Sequence, residues 1–109
     1  MEKVTLYHFV SDDIKITIEA YFEGDLLVID GYDIGSRVKE YWGDSDYEYS
    51  VKIPAAGIEI LYSYLDVEPN NRSKLLQALS QRYNTNSCYS DIRKLMEDNK
   101  IVCEGFSWA

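Results

Sequence analysis

The chain has 109 residues, a formal net charge of −8 at pH 7, and 46% hydrophobic residues. This length suits one domain with one core, and the hydrophobic fraction excludes a disordered chain. No apolar run approaches the roughly 20 residues needed to span a bilayer, and the first residues lack the apolar stretch of a signal peptide. We therefore expect a single cytoplasmic domain over residues 1–109.

The charge is distributed unevenly along the chain. Residues 1–50 contain twelve acidic and four basic residues, whereas residues 51–109 contain seven of each, so the first half carries the whole net charge. Such a field disfavours nucleic acid and anionic membranes, because both attract basic surfaces. It favours a basic protein partner, although negative charge can also serve solubility alone.

The N-terminal half predicts β-strands. Residues 3–10 are strand-like, and residues 13–22 alternate between apolar and polar side chains, which is the period of a sheet with one buried face. The turn at 23–25 predicts a hairpin over residues 13–32. Asp46–Ile53 alternates in the same way and predicts a fourth strand. Between these strands, Ser36–Trp42 has room for only about two helical turns.

The C-terminal half predicts three helices and a last strand. Pro54 suits the first turn of a helix, Asn71 belongs to a polar interruption, and Ser87 or Ser90 can cap the third helix before a strand over residues 101–108. The apolar stripes at helical spacing are Ile58, Leu61, Tyr62 and Leu65; Leu75, Leu76, Leu79 and Tyr83; and Ile92, Leu95 and Met96.

The resulting order is β-β-β-(α)-β-α-α-α-β. Because strands cluster first and helices later, the sequence predicts an α+β fold, with a mostly antiparallel sheet of about five strands and helices packed on one face.

Residue patterns for catalysis or cofactors are weak. His8 is the single histidine and lies on a strand, where a structural role is expected, and no glycine-rich phosphate loop occurs. The run Asp44–Glu48 begins like a calcium loop but lacks the glycine and the closing glutamate that such a loop requires. Cys88 and Cys103 are expected to be free thiols. We expect a protein that is not an enzyme and holds no metal or cofactor.

One segment combines acidic and aromatic residues. Tyrosine and tryptophan provide rigid contact area, and carboxylates steer a basic partner toward the surface, so this composition is typical of a protein-binding site. The candidate partner-binding residues are Asp30, Tyr32, Asp33, Glu40, Trp42, Asp44, Asp46, Tyr47 and Glu48. The alternative is that Tyr47 and Tyr49 belong to the core and the acidic residues are simply solvated. For Tyr49 the core is the preferred interpretation.

The segments Asp30–Gly35 and Trp42–Tyr49, followed by leucine-rich helices and a last aromatic strand, resemble small acidic bacterial immunity proteins of polymorphic and contact-dependent growth inhibition toxin systems. The resemblance covers most of the chain. It implies stoichiometric inhibition, in which the protein binds a cognate toxin domain, often a basic nuclease, and covers its active site or substrate surface.

Two other functions are compatible with the sequence. The chain could be an acidic adaptor module of a larger protein complex or one half of a homodimer, and an enzyme that uses carboxylates alone is the third interpretation. The neighbouring gene separates these possibilities, because an immunity protein is expected beside its toxin.

Overall fold

The computed structural model describes residues 2–35 and 46–108, which form five strands and three helices. The strands are β1 (Lys3–Val10), β2 (Lys15–Glu23), β3 (Leu26–Ile34), β4 (Asp46–Ile53) and β5 (Glu104–Trp108). The helices are α1 (Ala55–Tyr64), α2 (Arg72–Arg82) and α3 (Cys88–Asp98). The α+β class and the antiparallel sheet predicted from the sequence are confirmed. The short helix expected over Ser36–Trp42 lies outside the described residues.

The strands form one sheet in the order β1-β2-β3-β4-β5, and every neighbouring pair is antiparallel. The first four strands follow one another along the chain. After the three helices, the chain returns and β5 pairs with β4, with Glu104 opposite Lys52. One edge strand of the sheet therefore comes from the far end of the sequence.

The two faces of the sheet differ in what covers them. Directly paired residues of neighbouring strands point to the same face, so the register assigns each side chain to one face. The face packed against the helices is called the helix face, and the other is called the open face. The core on the helix face includes Ile18, Ala20, Leu27, Ile29, Val51 and Ile53 from the strands and Leu61, Leu75, Leu79, Ile92 and Met96 from the helices.

Several element ends differ from the sequence prediction. The hairpin predicted over residues 13–32 consists of β2 and β3, which begin at Lys15 and end at Ile34. Pro54 precedes α1 as its N-cap and is not in the first turn. Ser87 precedes α3, but its hydroxyl donates to Asp91 at 2.9 Å and makes no capping bond to the backbone. The last strand begins at Glu104 and not at residue 101, because Lys100 adopts a left-handed conformation with φ of 59° and the chain leaves α3 by a turn.

Among the described residues, no helix is long and apolar enough to cross a membrane.

Candidate functional site

The open face carries most of the polar residues of the sheet. Along β2, the side chains that alternate with the buried Ile18 and Ala20 are polar or aromatic and point away from the helices, and β4 alternates in the same way. β3 also places apolar residues on the open face, namely Leu26, Val28 and Ile34. At its centre Val28 is 1% exposed, between Tyr21 and Lys52 in the register. The open face is therefore a surface with a small apolar floor and polar surroundings.

A groove with a volume of about 790 Å³ runs along this face. Aromatic side chains line it from three strands: Tyr21 from β2, Tyr32 from β3 and Phe106 from β5. The Phe106 side chain is 43% exposed. Asp30 and Glu48 also line the groove. The groove combines aromatic contact area with carboxylates, which is the composition of a protein-binding surface.

The acidic residues of the open face divide into two groups by their partners. Near one end, Lys3 lies 3.7 Å from Glu19, and Lys52 lies 3.4 Å from Glu23, so these carboxylates are paired. The second group comprises Asp30, Asp46 and Glu48, which form no ion pair with another described residue. Asp30 and Glu48 line the groove together with Lys15, whereas Asp46 lies two residues before Glu48 on β4 and is not part of the lining. These three carboxylates are called the acidic row below.

Asp30 is positioned by a neighbouring tyrosine. The Tyr21 hydroxyl donates a hydrogen bond of 2.8 Å to Asp30 Oδ2, and Tyr21 is paired with Val28, two residues before Asp30 on the same face. Burial, followed by the hydrogen bond and the charge of Asp30, raises the pKa of Tyr21 to about 12. Tyr21 thus remains a protonated donor at neutral pH, and the second carboxylate oxygen of Asp30 stays available to an incoming donor.

The residues predicted from the sequence fall on both faces. Asp30, Tyr32, Asp46 and Glu48 lie together on the open face, where Tyr32 is directly opposite Glu48. In contrast, Asp33 and Tyr47 are paired with each other on the helix face and line a second cavity. The remaining three predicted residues, Glu40, Trp42 and Asp44, lie outside the described residues.

The second cavity lies between the sheet and the start of α3 and has a volume of about 450 Å³. The Tyr49 hydroxyl donates a hydrogen bond of 3.0 Å to Asp33 Oδ1, and its ring meets the Tyr89 ring edge-on at 4.8 Å. Arg93 of α3 also lines this cavity, with its guanidinium 5.8 Å from the centre of the Tyr89 ring. Tyr49 is therefore half-buried on the helix face, beside the core and not within it.

The Asp33 carboxyl is affected by this partly buried environment. Burial raises its pKa, and the hydrogen bond from Tyr49 opposes that rise. The Tyr49 hydroxyl loses water and faces a carboxylate, so its own pKa is raised as well. This pair is best explained as a polar contact that joins β3 to β4 beside the core.

The sequence prediction missed two residues that shape the groove, Tyr21 and Phe106. Tyr21 carried a signal, since it is an aromatic residue at a polar position of an alternating strand. Phe106 carried a weaker one, because its place in the groove depends on β5 pairing with β4. That pairing joins distant parts of the chain, and no local pattern specifies it.

The remaining residues considered for catalysis or metal binding, one histidine and two cysteines, have structural roles. His8 Nδ1 lies 3.1 Å from the Thr17 hydroxyl across β1 and β2, on the open face. Cys88 and Cys103 are free thiols, and burial raises the pKa of Cys88 to about 11, which leaves it protonated at neutral pH. Within the described ranges, no group of three or more histidine, cysteine or acidic residues is arranged to hold a metal ion.

Comparisons with protein-family models, with curated proteins and with solved structures gave no significant match for this chain.

Proposed function

We propose that this protein acts by binding a basic protein partner on the open face of its sheet. The observation that carries the proposal is the acidic row, Asp30, Asp46 and Glu48, which has no ion-pair partner among the described residues. Asp30 and Glu48 lie beside aromatic side chains in the groove, and Asp46 lies two residues before Glu48 on the same face. A lysine or arginine of the partner would supply the missing positive charge, and the rings would provide contact area.

The resemblance of the sequence to immunity proteins gives the proposal a specific form. In that form the partner is a cognate toxin domain, a basic nuclease for example, and the protein inhibits it by forming a one-to-one complex in the cytoplasm. Inhibition requires only that the complex cover the active site or the nucleic-acid surface of the toxin. A basic nuclease surface attracts the acidic row for the same reason that it attracts phosphates.

The decisive experiment is co-expression with the product of the neighbouring gene. If that product is a toxin, cells that express it alone should stop growing, and cells that also express this protein should grow. The purified proteins should form a one-to-one complex whose association slows as salt concentration rises, since salt screens the charges that steer the encounter. Co-purification with a housekeeping complex, without protection from a toxin, would favour an adaptor function instead.

A charge-matched pair of variants tests the location of the interface. Asp46→Asn/Glu48→Gln removes two charges from the acidic row, and Glu59→Gln/Glu97→Gln removes two from exposed helical positions. We expect the first variant to slow association by about tenfold and the second by about twofold or less, because steering depends on charges near the interface. Equal slowing of association by both variants would show that the net charge of the protein, and not the position of the charges on the open face, controls the association rate.

A further inference from the structure

The two edges of the sheet differ in how far they are blocked. At β1 the register shifts between Thr5 and Tyr7, α2 packs against the strand, and the Ser73 hydroxyl of α2 bonds Glu2 at 2.7 Å. Bulges of this kind discourage further pairing at an edge. At β5 the register with β4 is regular, and β4 is its one strand neighbour in the described parts of the chain. Within residues 2–35 and 46–108, no strand pairs with the outer backbone groups of β5.

Both cavities reach β5 from opposite faces of the sheet. Phe106 lines the groove on the open face and also lines the cavity beside α3, which includes Gly105 and Ser107. A strand added next to β5 would direct alternate side chains toward these two cavities, because successive side chains of a strand point to opposite faces. Backbone pairing combined with alternate side-chain pockets is a general mode of peptide recognition.

The charges beside β5 indicate which side chains an added strand would carry. On the open face Glu104 is exposed and forms no ion pair with another described residue. Lys52 lies directly opposite it on β4, but the Lys52 ammonium is paired with Glu23 at 3.4 Å. On the helix face the Arg93 guanidinium lies over Gly105, with a nitrogen 3.2 Å from where a β-carbon would be. A basic side chain therefore fits the open-face position beside Glu104, and polar side chains fit the helix-face positions beside Arg93.

We propose that β5 accepts an extended segment of the basic partner as a sixth strand of the sheet. This inference rests on the proposed function, because the occupant is the partner itself. A second copy of the chain is a poorer occupant, since it would bring two domains of net charge −8 side by side. The added strand would also extend the open face, so that edge pairing and groove contacts form one continuous interface.

A peptide tests the edge without the partner. The probe is a capped seven-residue peptide that alternates lysine and threonine, and its control is the same peptide N-methylated at every backbone amide. The control keeps the charge and the side chains but has no backbone donors. Binding to the full ¹⁵N-labelled chain is followed by NMR at low salt. The first peptide should shift the amide signals of residues 104–107 and slow their hydrogen exchange, and N-methylation should weaken its binding by about tenfold.

Either of two results would overturn the inference. One is equal binding of the two peptides, which would mean attraction by charge alone. The other is the absence of any change at residues 104–107 at saturating peptide. The test is independent of the proposed function, which fails if the product of the neighbouring gene is not bound or not inhibited, whatever the peptide does.

Discussion

Gly31 leaves the space that the Tyr49 ring occupies. The two residues are directly paired across β3 and β4, and a β-carbon at position 31 would overlap the ring. The ring cannot move freely, because its hydroxyl is bonded to Asp33 and its edge packs against Tyr89. A single methyl group at position 31 would therefore disturb an entire cluster.

We predict that Gly31→Ala lowers the free energy of unfolding by about 1–3 kcal/mol, the usual range for an overpacked interior. Urea denaturation of the variant measures this loss. In a Tyr49→Leu background the same substitution should cost clearly less, because the ring that it meets is gone. An unchanged cost in that background would place the cause in the backbone of β3 and not in the tyrosine ring.

The Asp33 carboxyl should make stability depend on pH. Because burial raises its pKa in the folded protein, the unfolded chain loses this proton first as the pH rises through the ordinary aspartate range of about 3.9. The free energy of unfolding therefore falls over that window and levels off above the raised pKa. Asp33→Asn lacks this contribution, so the stability of the native protein relative to the variant should decrease as the pH rises.

Denaturation of both proteins between pH 3.5 and 7 measures this difference. Tyr49→Phe provides a second test in the same experiment, because the hydrogen bond from Tyr49 lowers the Asp33 pKa. Without that bond the Asp33 pKa is higher still, so the decrease in the free energy of unfolding should continue to a higher pH. A stability difference that rises with pH would contradict the assignment.

At the scale of single elements, the two helix starts offer a matched comparison. Asn71 caps α2 by accepting a hydrogen bond of 3.2 Å from the backbone nitrogen of Lys74. Ser87 occupies the same position before α3 but makes no such bond. We predict that Asn71→Ala costs about 1 kcal/mol of stability and Ser87→Ala less than half as much. Equal losses in thermal or urea denaturation would mean that the cap bond to Lys74 contributes little.

Local patterns were sufficient to predict most elements. β4 begins and ends where the alternation predicts, at Asp46 and Ile53, because one buried face imposes a period of two on the sequence. The last strand was placed three residues too early because Ile101 is apolar and half-buried, which resembles a strand residue. Its backbone nitrogen instead donates to Met96 and closes the turn after α3.

At the scale of the whole molecule, uneven charge should affect stability as well as binding. Similar charges repel in the compact state, and salt screens them with a Debye length of about 10 Å at 0.1 M. We predict that raising sodium chloride from 20 to 200 mM increases the melting temperature by a few degrees. Asp46→Asn/Glu48→Gln should show a smaller increase, since it has less repulsion to screen. A melting temperature that falls with salt would indicate that favourable ion pairs dominate.

The candidate site was only partly predictable. The sequence located the acidic and aromatic segment, and alternation within β4 was enough to assign Tyr47 and Glu48 to different faces. It did not reveal that Tyr21 and Phe106 border the same groove, because this requires the strand order of the sheet. Strand order depends on contacts between distant residues, for which a single sequence contains no local signal.

Neighbouring positions of β3 and β4 serve different purposes, since Asp30 and Tyr32 face the groove while Ile29 and Gly31 face the helices. Substitutions at every second position can therefore alter the open face and leave the packing of the core unchanged. An insertion or deletion within either strand would exchange the two sets of side chains. The proposed binding surface should accordingly change through point substitutions in the strands, and changes of length should be confined to the loops.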